Sequence, residues 1–449
     1  MTYVPNFARI LYFLGTALRR LQWSKQKLKE YQEKRLRAVL RHAYDSVPFY
    51  HEKFRRAGVS PSDVKSLEDL TKLPITRKDE LTQADPSKLI SREYTMDKLK
   101  ILRTSGSTGK PFKFYISPSE DDWRKSIYLR ANISCGQKTR DRWVVVTSPH
   151  HFIDTTDLQR KLARAHIRIF AQECVSLFKK IDEQVKLISQ AKPNILDGYT
   201  GSLYLIAKEV AQIGLKTICP RIVFGTADFV DFSARRYIEN TFHAPFYDQF
   251  GCAEVDRTAW QCPEKVGYHM DVDSVITQFV DERGEEVSDG ERGEIIYTSL
   301  FNYAHPFIRY STEDIGMPMR DECSCHRRLP LMKLVEGRRD SFLILPDGRL
   351  LSPMSFWTVM RYFEHADEID SFRVIQKKIE SLEVYVKTRN SLTPLETLER
   401  TLVGHIRRCL QIDESSLDVQ VDFVKEIPVD RSGRLRSVIC ELPNLPKIS

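Results

Sequence analysis

From about residue 99 onward, short strand-like runs alternate with stretches of helical period, and no other feature constrains the fold as much. Lys100–Arg103 and Phe112–Ile116 have strand character, and Trp143–Val146 follows. A helix near 176–191 then leads to Asn194–Leu196, a helix near 202–213 to Arg221–Phe224, and another helix begins near Ser233. Short β-rich runs and amphipathic helices in alternation bury their apolar faces together only as a sheet with helices packed on it, which predicts an α/β fold. Ligands of such sheets bind beyond the strand ends.

Around this frame the chain changes character twice. Residues 24–57 form a charged helical stretch that breaks at Ser46-Val47-Pro48, because proline disfavours helix at the residue before it, and stops at Gly58. Two short helices are expected near 66–72 and 77–82. From about 275 to 311 shorter strands are separated by turns such as Asp281-Glu282-Arg283-Gly284, as in a β-rich subdomain. The last hundred residues alternate again, with strands at Ser371–Gln376, Leu382–Val386 and Asp418–Val424 around a helix near 394–410. The expected architecture is a large N-terminal domain with mixed and parallel sheets, helices and a β-rich subdomain, plus a small mobile α+β C-terminal domain. Its divisions are a helical leader over 1–98, a core over 99–337, a hinge at 338–341 and a lid over 342–449. At 449 residues the chain exceeds the size at which single cores stop growing, so at least two domains are required.

Charge narrows the partners. The formal net charge is +8, but residues 1–56 hold 13 Lys or Arg against 4 Asp or Glu, so the remainder is close to neutral. That argues against a nucleic-acid partner and places the basic excess in one N-terminal arm. The arm also carries Phe7, Ile10, Leu11, Leu14, Leu18 and Leu21 at helical spacing, then Trp23. Such a helix either packs on the body of the protein or makes peripheral contact with a membrane face. No apolar run is long enough to span a bilayer and nothing resembles a cleaved signal, so the expected location is cytoplasmic. Nine cysteines, an odd number, suit a reducing compartment. Whether the chain is a monomer or a dimer is not written in it.

The strongest local signal is Thr104-Ser105-Gly106-Ser107-Thr108-Gly109-Lys110-Pro111, between two strand-like runs. Glycines let the backbone approach phosphate oxygens, while hydroxyls, backbone N–H groups and a lysine supply donors. Only two residues separate the glycines, so it is not a Walker A loop. A plain hairpin turn is the other reading of such a run.

The order of this loop resembles the phosphate loop of the adenylate-forming enzymes, and five further segments resemble the phenylacetate-CoA ligase and capsule-biosynthesis (CapK-like) branch of that acyl/aryl-CoA synthetase superfamily. These are a leader (Arg35–Phe54 with Leu67–Pro74), Phe250-Gly251-Cys252-Ala253-Glu254, Pro306-Phe307-Ile308-Arg309-Tyr310-Ser311-Thr312-Glu313-Asp314, the hinge Gly337-Arg338-Arg339-Asp340, and Ser432-Gly433-Arg434. The resemblance implies ATP-dependent adenylation of a carboxylic acid to acyl-AMP and pyrophosphate. Transfer to CoA or to an amine or hydroxyl acceptor would follow, with surface-polysaccharide biosynthesis one setting. A degenerate nucleotide-binding module of the same fold is the alternative.

Carried over to this chain, the resemblance gives Thr104–Gly109, Gly225, Thr226, Ala227, Phe250, Gly251, Asp314 and Arg338 to ATP or AMP. Phe250 walls the adenine pocket and Asp314 accepts from the ribose hydroxyls. Lys110, Glu254 as a Mg2+ ligand, and Arg434 carry catalysis, and Asp340 belongs to the hinge. His150, His151, Tyr199 and Phe224 fall where the acid pocket is expected. Taken alone, Phe250 reads as core, Glu254 as a solvated carboxylate and Asp314 as half of a surface ion pair with Arg309. Two departures stand out: Arg434 replaces the family's lysine, a wide fork for a point charge, and Glu313 replaces its glycine.

Finally, Cys262, His269, Cys323 and Cys325 form a full tetrahedral donor set for structural zinc, although the spacing departs from the common Cys-x-x-Cys knuckle and reduced, packed cysteines are the other reading. Cys252 and His326 compete as ligands, and His326 stands where the branch usually has glycine. Four protein ligands leave no open position, so a hydrolytic metal site is not expected.

Overall fold

The computed structural model describes residues 6–103, 112–149, 169–226, 232–336, 343–351, 353–388, 393–413, 416–427 and 437–442. The chain divides into two compact units that do not follow chain order. One comprises Met1–Leu102, Lys113–Gln137 and Tyr247–Gly337, the other Arg103–Phe112, Lys138–Phe246 and Arg338–Ser449. The class is α/β, as the alternation requires.

In the first unit the leader is helical where its pattern predicts. Helices Lys25–Ser46 and Pro48–Arg56 meet at Val47, whose extended backbone (φ −113°, ψ 107°) is what a following proline imposes. Pro48 then opens the next helix at the one position where its missing N–H costs nothing. The N-terminal helix Phe7–Arg20 buries Ile10, Leu14 and Ala17. Their partner is the helix Pro118–Ser134, which covers this part of the arm's apolar face, while Leu11 stays 43% exposed. Arg9 pairs with the buried Asp122 at 2.6 Å, and Arg20 reaches Asp273 at 3.4 Å. No helix among the described residues is long and apolar enough to cross a membrane.

Mainly antiparallel strands make up the rest of this unit. Val275–Val280, Gly293–Ser299, Tyr310–Met319, Leu331–Glu336, Tyr268–Met270, Asp256–Gln261 and Phe246–Cys252 lie side by side in that order. This is the expected β-rich segment, extended by the hairpins around residue 260. Beneath it sits a charged core: Arg130 bonds Asp271 at 2.6 Å and Asp273 at 2.8 Å, with all three side chains fully buried. Trp260 Nε1 also donates to Asp271. Removing one member of such a group leaves an uncompensated charge, a loss of about 3–5 kcal/mol.

The second unit contains a parallel sheet in the order Ile222–Thr226, Ile195–Tyr199, Trp143–Thr147, Gln172–Ser176, with helices Ile181–Ala191, Thr200–Gln212 and Phe232–Phe242. It also contains the C-terminal four-stranded sheet, where Ser381–Thr388 and Ile369–Lys378 are central and Asp418–Phe423 and Val438–Cys440 flank them. One apolar cluster runs from Val144, Leu196 and Phe246 to Trp357, Val384 and Leu402.

Candidate active site and metal centre

The loop 104–111 falls outside the described residues, as do His150, His151, Ala227, Arg338, Asp340 and Arg434. The other expected site residues lie in one unit or the other.

In the first unit, Phe250, Gly251 and Glu254 sit at the hairpin between strands Phe246–Cys252 and Asp256–Gln261. Register shifts between Phe250 and Gly251, where a bulge bends the strand. A Cβ on Gly251 would lie 2.2 Å from the carbonyl oxygen of Asp256, so only glycine permits this approach. Phe250 stays partly exposed, whereas Glu254 is 5% exposed.

Glu254 is held from three sides. Tyr310 donates its hydroxyl to Glu254 Oε1 at 2.6 Å. Asn302 Nδ2 donates to the Glu254 carbonyl at 3.2 Å, and Arg124 donates to the carbonyls of Ala253 (2.6 Å) and Glu254 (3.3 Å). Burial, then the Glu254 charge, pushes the Tyr310 phenol well above its ordinary range, so it remains a donor. None of the three supporting residues is assigned a role by sequence reasoning. Tyr310 lies inside a motif, but nothing in its neighbourhood announces its partner, and Arg124 and Asn302 carry no signal at all.

Arg309 does not form the surface ion pair that its neighbourhood suggests. Nearly fully buried, it donates to the carbonyls of Thr71 (3.0 Å), Leu73 (2.7 Å) and Gly284 (2.9 Å), clamping the leader to the β-rich sheet. Asp314 is half-buried a few residues on. Between the pairs Ile296–Ser311 and Glu294–Ile315, Thr312, Glu313 and Asp314 oppose the single residue Ile295, a bulge that lifts the motif out of the ladder. Glu313 has φ 61°, left-handed backbone that favours glycine, and its side chain is exposed. The departure from glycine therefore keeps glycine's conformation at a cost of about 1–2 kcal/mol. Glu313→Gly is expected to raise stability by about 1 kcal/mol once the greater freedom of the unfolded glycine is subtracted. A lower denaturant midpoint for the variant would mean that the glutamate side chain stabilises the bulge.

Also in the first unit, the four donor atoms of Cys262, His269, Cys323 and Cys325 lie within 4.8 Å of one another. Strand pairing assembles them. Cys262 follows the strand Asp256–Gln261 into a tight turn closed by Lys265 N to Cys262 O at 3.0 Å. His269 returns on the next strand opposite Trp260, and the far side of that strand pairs His269 with Leu331, which brings in the segment bearing Cys323 and Cys325. His326 N closes a second turn onto Cys323 O at 3.2 Å with φ 61° at His326, again a residue in the backbone of the glycine it replaces.

Cys262 and Cys323 Sγ are 3.5 Å apart, far beyond a disulfide bond, and Cys325 Sγ is 3.2 Å from His269 Nε2. Bonds of about 2.3 Å to sulfur and about 2.0 Å to nitrogen fit inside such a group. Burial lowers the His269 pKa to about 4, so the ring is a neutral donor at physiological pH. Burial also raises Cys325, but hydrogen bonds from Arg327 outweigh it and the net shift is downward, toward the thiolate. Neither Cys252 nor His326 joins the group.

In the second unit, Tyr199 and Thr226 end adjacent parallel strands, paired in register, and Thr200 Oγ1 donates to Thr226 O at 3.3 Å. A Cβ on Gly225 would fall 2.2 Å from the Phe246 ring, which fixes glycine there. Phe224 is wholly buried and Tyr199 is 8% exposed. Tyr199 and Thr226 thus occupy the carboxyl ends of the sheet, where such folds bind ligands.

The chain matches no protein-family model. It is 28% identical over 393 residues to the phenylacetate-coenzyme A ligase of Escherichia coli K12, covering 85% of this chain and 87% of that one. To the enzyme of the same name from Pseudomonas putida it is 26% identical over 386 residues, covering 84% and 85%. Protein CapK of Staphylococcus aureus is 22% identical over 427 residues, covering 92% and 89%. Among solved structures, a 2-hydroxyisobutyryl-CoA ligase in complex with 2-HIB-AMP and CoA superposes with a TM-score of 0.64 at 20% identity, over 95% of this chain and 92% of that one, and shares the fold.

Proposed function

We propose that this chain, an adenylate-forming ligase of the phenylacetate-CoA ligase and CapK branch, activates a small carboxylic acid as acyl-AMP and passes the acyl group to a second acceptor. The observation that carries the reading is the fixed carboxylate of Glu254, set at a bulged hairpin by Tyr310, Asn302 and Arg124 within the Phe-Gly-x-x-Glu segment.

Attack of a carboxylate on the α-phosphate brings two anions together and expels pyrophosphate, so the protein's work is positioning and charge neutralisation. Glu254 would hold Mg2+, which supplies positive charge to the phosphates. Phe250 offers a partly exposed ring to the adenine, and Asp314, lifted by its bulge, accepts from the ribose hydroxyls. The loop at 104–110 and Arg434 complete the set as phosphate donors and catalytic cation, with residues 338–341 as hinge and 342–449 as lid. Cys262, His269, Cys323 and Cys325 would hold Zn2+ as a structural pin. CoA is the acceptor that the names of the relatives favour; an amine or hydroxyl acceptor in surface-polysaccharide assembly is the second reading, which rests on the motif resemblance alone.

ATP–pyrophosphate exchange tests this across aryl, short acyl and amino acids. Exchange that depends on one class of acid is the expected result. Clear nucleotide binding with exchange for no acid would leave the nucleotide-binding module as the function. Arg434→Lys refines the outcome: a strong rise in exchange identifies the arginine as a loss, and abolition identifies it as an adaptation.

A further inference from the structure

Among the described residues of the second unit, the guanidinium of Arg361 is buried with no carboxylate to meet it. Arg361 closes the helix Pro353–Arg361 and is 7% exposed. Its Nε makes no hydrogen bond, and among the described residues no carboxylate lies within ion-pair distance of it. Arg20, Arg35, Arg130, Arg309 and Arg407 also leave Nε unbonded, but each commits its terminal nitrogens elsewhere. Arg20 and Arg130 bond Asp273, and Arg35, Arg309 and Arg407 bond the carbonyls of Leu300, Leu73 and Leu417. Among the described residues, the phenol of Tyr362 is the polar group that the Arg361 side chain meets.

Arg103 Nη2 is 3.6 Å from Asp367, while its Nη1 donates to the carbonyls of Arg361 (3.0 Å) and Phe363 (3.3 Å), capping the end of the helix. Tyr362 feels the charges of Arg361 and Arg103 and the phenol of Tyr199, so two guanidinium groups and two tyrosines share one neighbourhood at the carboxyl end of the strand Ile195–Tyr199. Arg103 directly precedes Thr104, the first residue of the hydroxyl- and glycine-rich loop.

An unpaired buried cation destabilises a fold, and chains retain one where a ligand supplies the counter-charge. We propose that Arg361 is the receptor for a phosphate group of the ligand, pairing its planar fork with two phosphate oxygens when the ligand is bound. The segment 342–449 would then carry a cation at residue 361 besides the one at Arg434. The proposal rests on the ligase reading only for the source of the phosphate, which is either the nucleotide or CoA.

Arg361→Met and Arg361→Gln test it. In each, the thermal midpoint of the free protein is measured together with dissociation constants for AMP, pyrophosphate and CoA. A receptor without its own counter-charge predicts that Arg361→Met raises the midpoint, by about 1–2 °C, while affinity for at least one of the three falls ten-fold or more. Weakening confined to AMP and pyrophosphate assigns the site to the nucleotide; weakening confined to CoA assigns it to the acceptor. Unchanged affinity for all three overturns the proposal, as does a lowered midpoint with equal weakening of all three, or failure of both variants to fold, since each reports a structural arginine. Because the readout is binding, a wild-type protein with no exchange activity would sink the ligase reading and leave this one open to the same measurement.

Discussion

Cys323→Ser is expected to release the metal and to lower the stability of the first unit by several kcal/mol, visible as a lost zinc stoichiometry in metal analysis and a separate, earlier unfolding transition. The size follows from what a four-ligand site does. Zinc binding contributes about 10–16 kcal/mol in small peptide domains, and a typical protein's whole stability is about 5–15 kcal/mol, so even a fraction of that is large. Here the cluster closes the two tight turns at Lys265 and His326. The segment after Cys325 also reaches back to the N-terminal helix, since Arg328 N donates to Leu21 O at 3.1 Å.

Acid gives an independent check. His269 and His305 are both fully buried, and burial lowers their pKa values to about 4 and about 3. Folded values below the unfolded value of about 6.5 mean that the unfolded chain takes up protons first. Their contribution is therefore complete above pH 6.5 and is lost as pH falls from 6.5 toward 3, at about 3 kcal/mol or more for each. A chelated protein should unfold in that window, and the zinc-loaded one lower in it. Equal midpoints with and without chelator at neutral pH would show that the cysteines are packing residues only.

The helical leader and the alternating core are legible because their signals are local. Val47-Pro48 breaks a helix by backbone sterics alone, and the run Trp143–Thr147 is apolar because side chains on both faces of this strand are buried. The strand Gln172–Ser176 is not legible as one: it lies at the edge of the parallel sheet, and its run Gln-Glu-Cys-Val-Ser has no period-2 alternation. The metal donors are legible by type but not as a group, because the Leu331–His269 pairing that joins them is a contact of 62 positions along the chain. Glu313 reads as an added charge in the nucleotide pocket, yet its exposed side chain and left-handed backbone make it first a conformational substitution. Arg361 has no signal in sequence, since an arginine that meets no carboxylate among the described residues is defined by what the fold fails to put beside it.

Glu254→Gln is expected to lower ATP–pyrophosphate exchange by about 10²–10³-fold with little loss of stability, the scale at which removal of one preorganised electrostatic group acts. Glutamine keeps the volume and an acceptor oxygen for Tyr310, and the carbonyls of residues 253 and 254 remain held by Arg124 and Asn302, so the hairpin should stand. What disappears is the negative charge that would hold Mg2+. Tyr310→Phe separates charge from position: the carboxylate stays, but the 2.6 Å hydrogen bond that orients it is gone. Because Tyr310 is buried, its loss also leaves a carboxylate oxygen short of a partner, at about 1–3 kcal/mol. The expected pattern is a rise in the Mg2+ needed for half-maximal exchange in Tyr310→Phe, with partial activity at saturating metal, against a loss in Glu254→Gln that metal does not restore. Binding of Mn2+ with nucleotide, followed by electron paramagnetic resonance, reads the same difference without turnover. If Glu254→Gln exchanges at the wild-type rate and binds Mn2+ unchanged, the carboxylate is a structural partner of Tyr310, and the metal is held elsewhere.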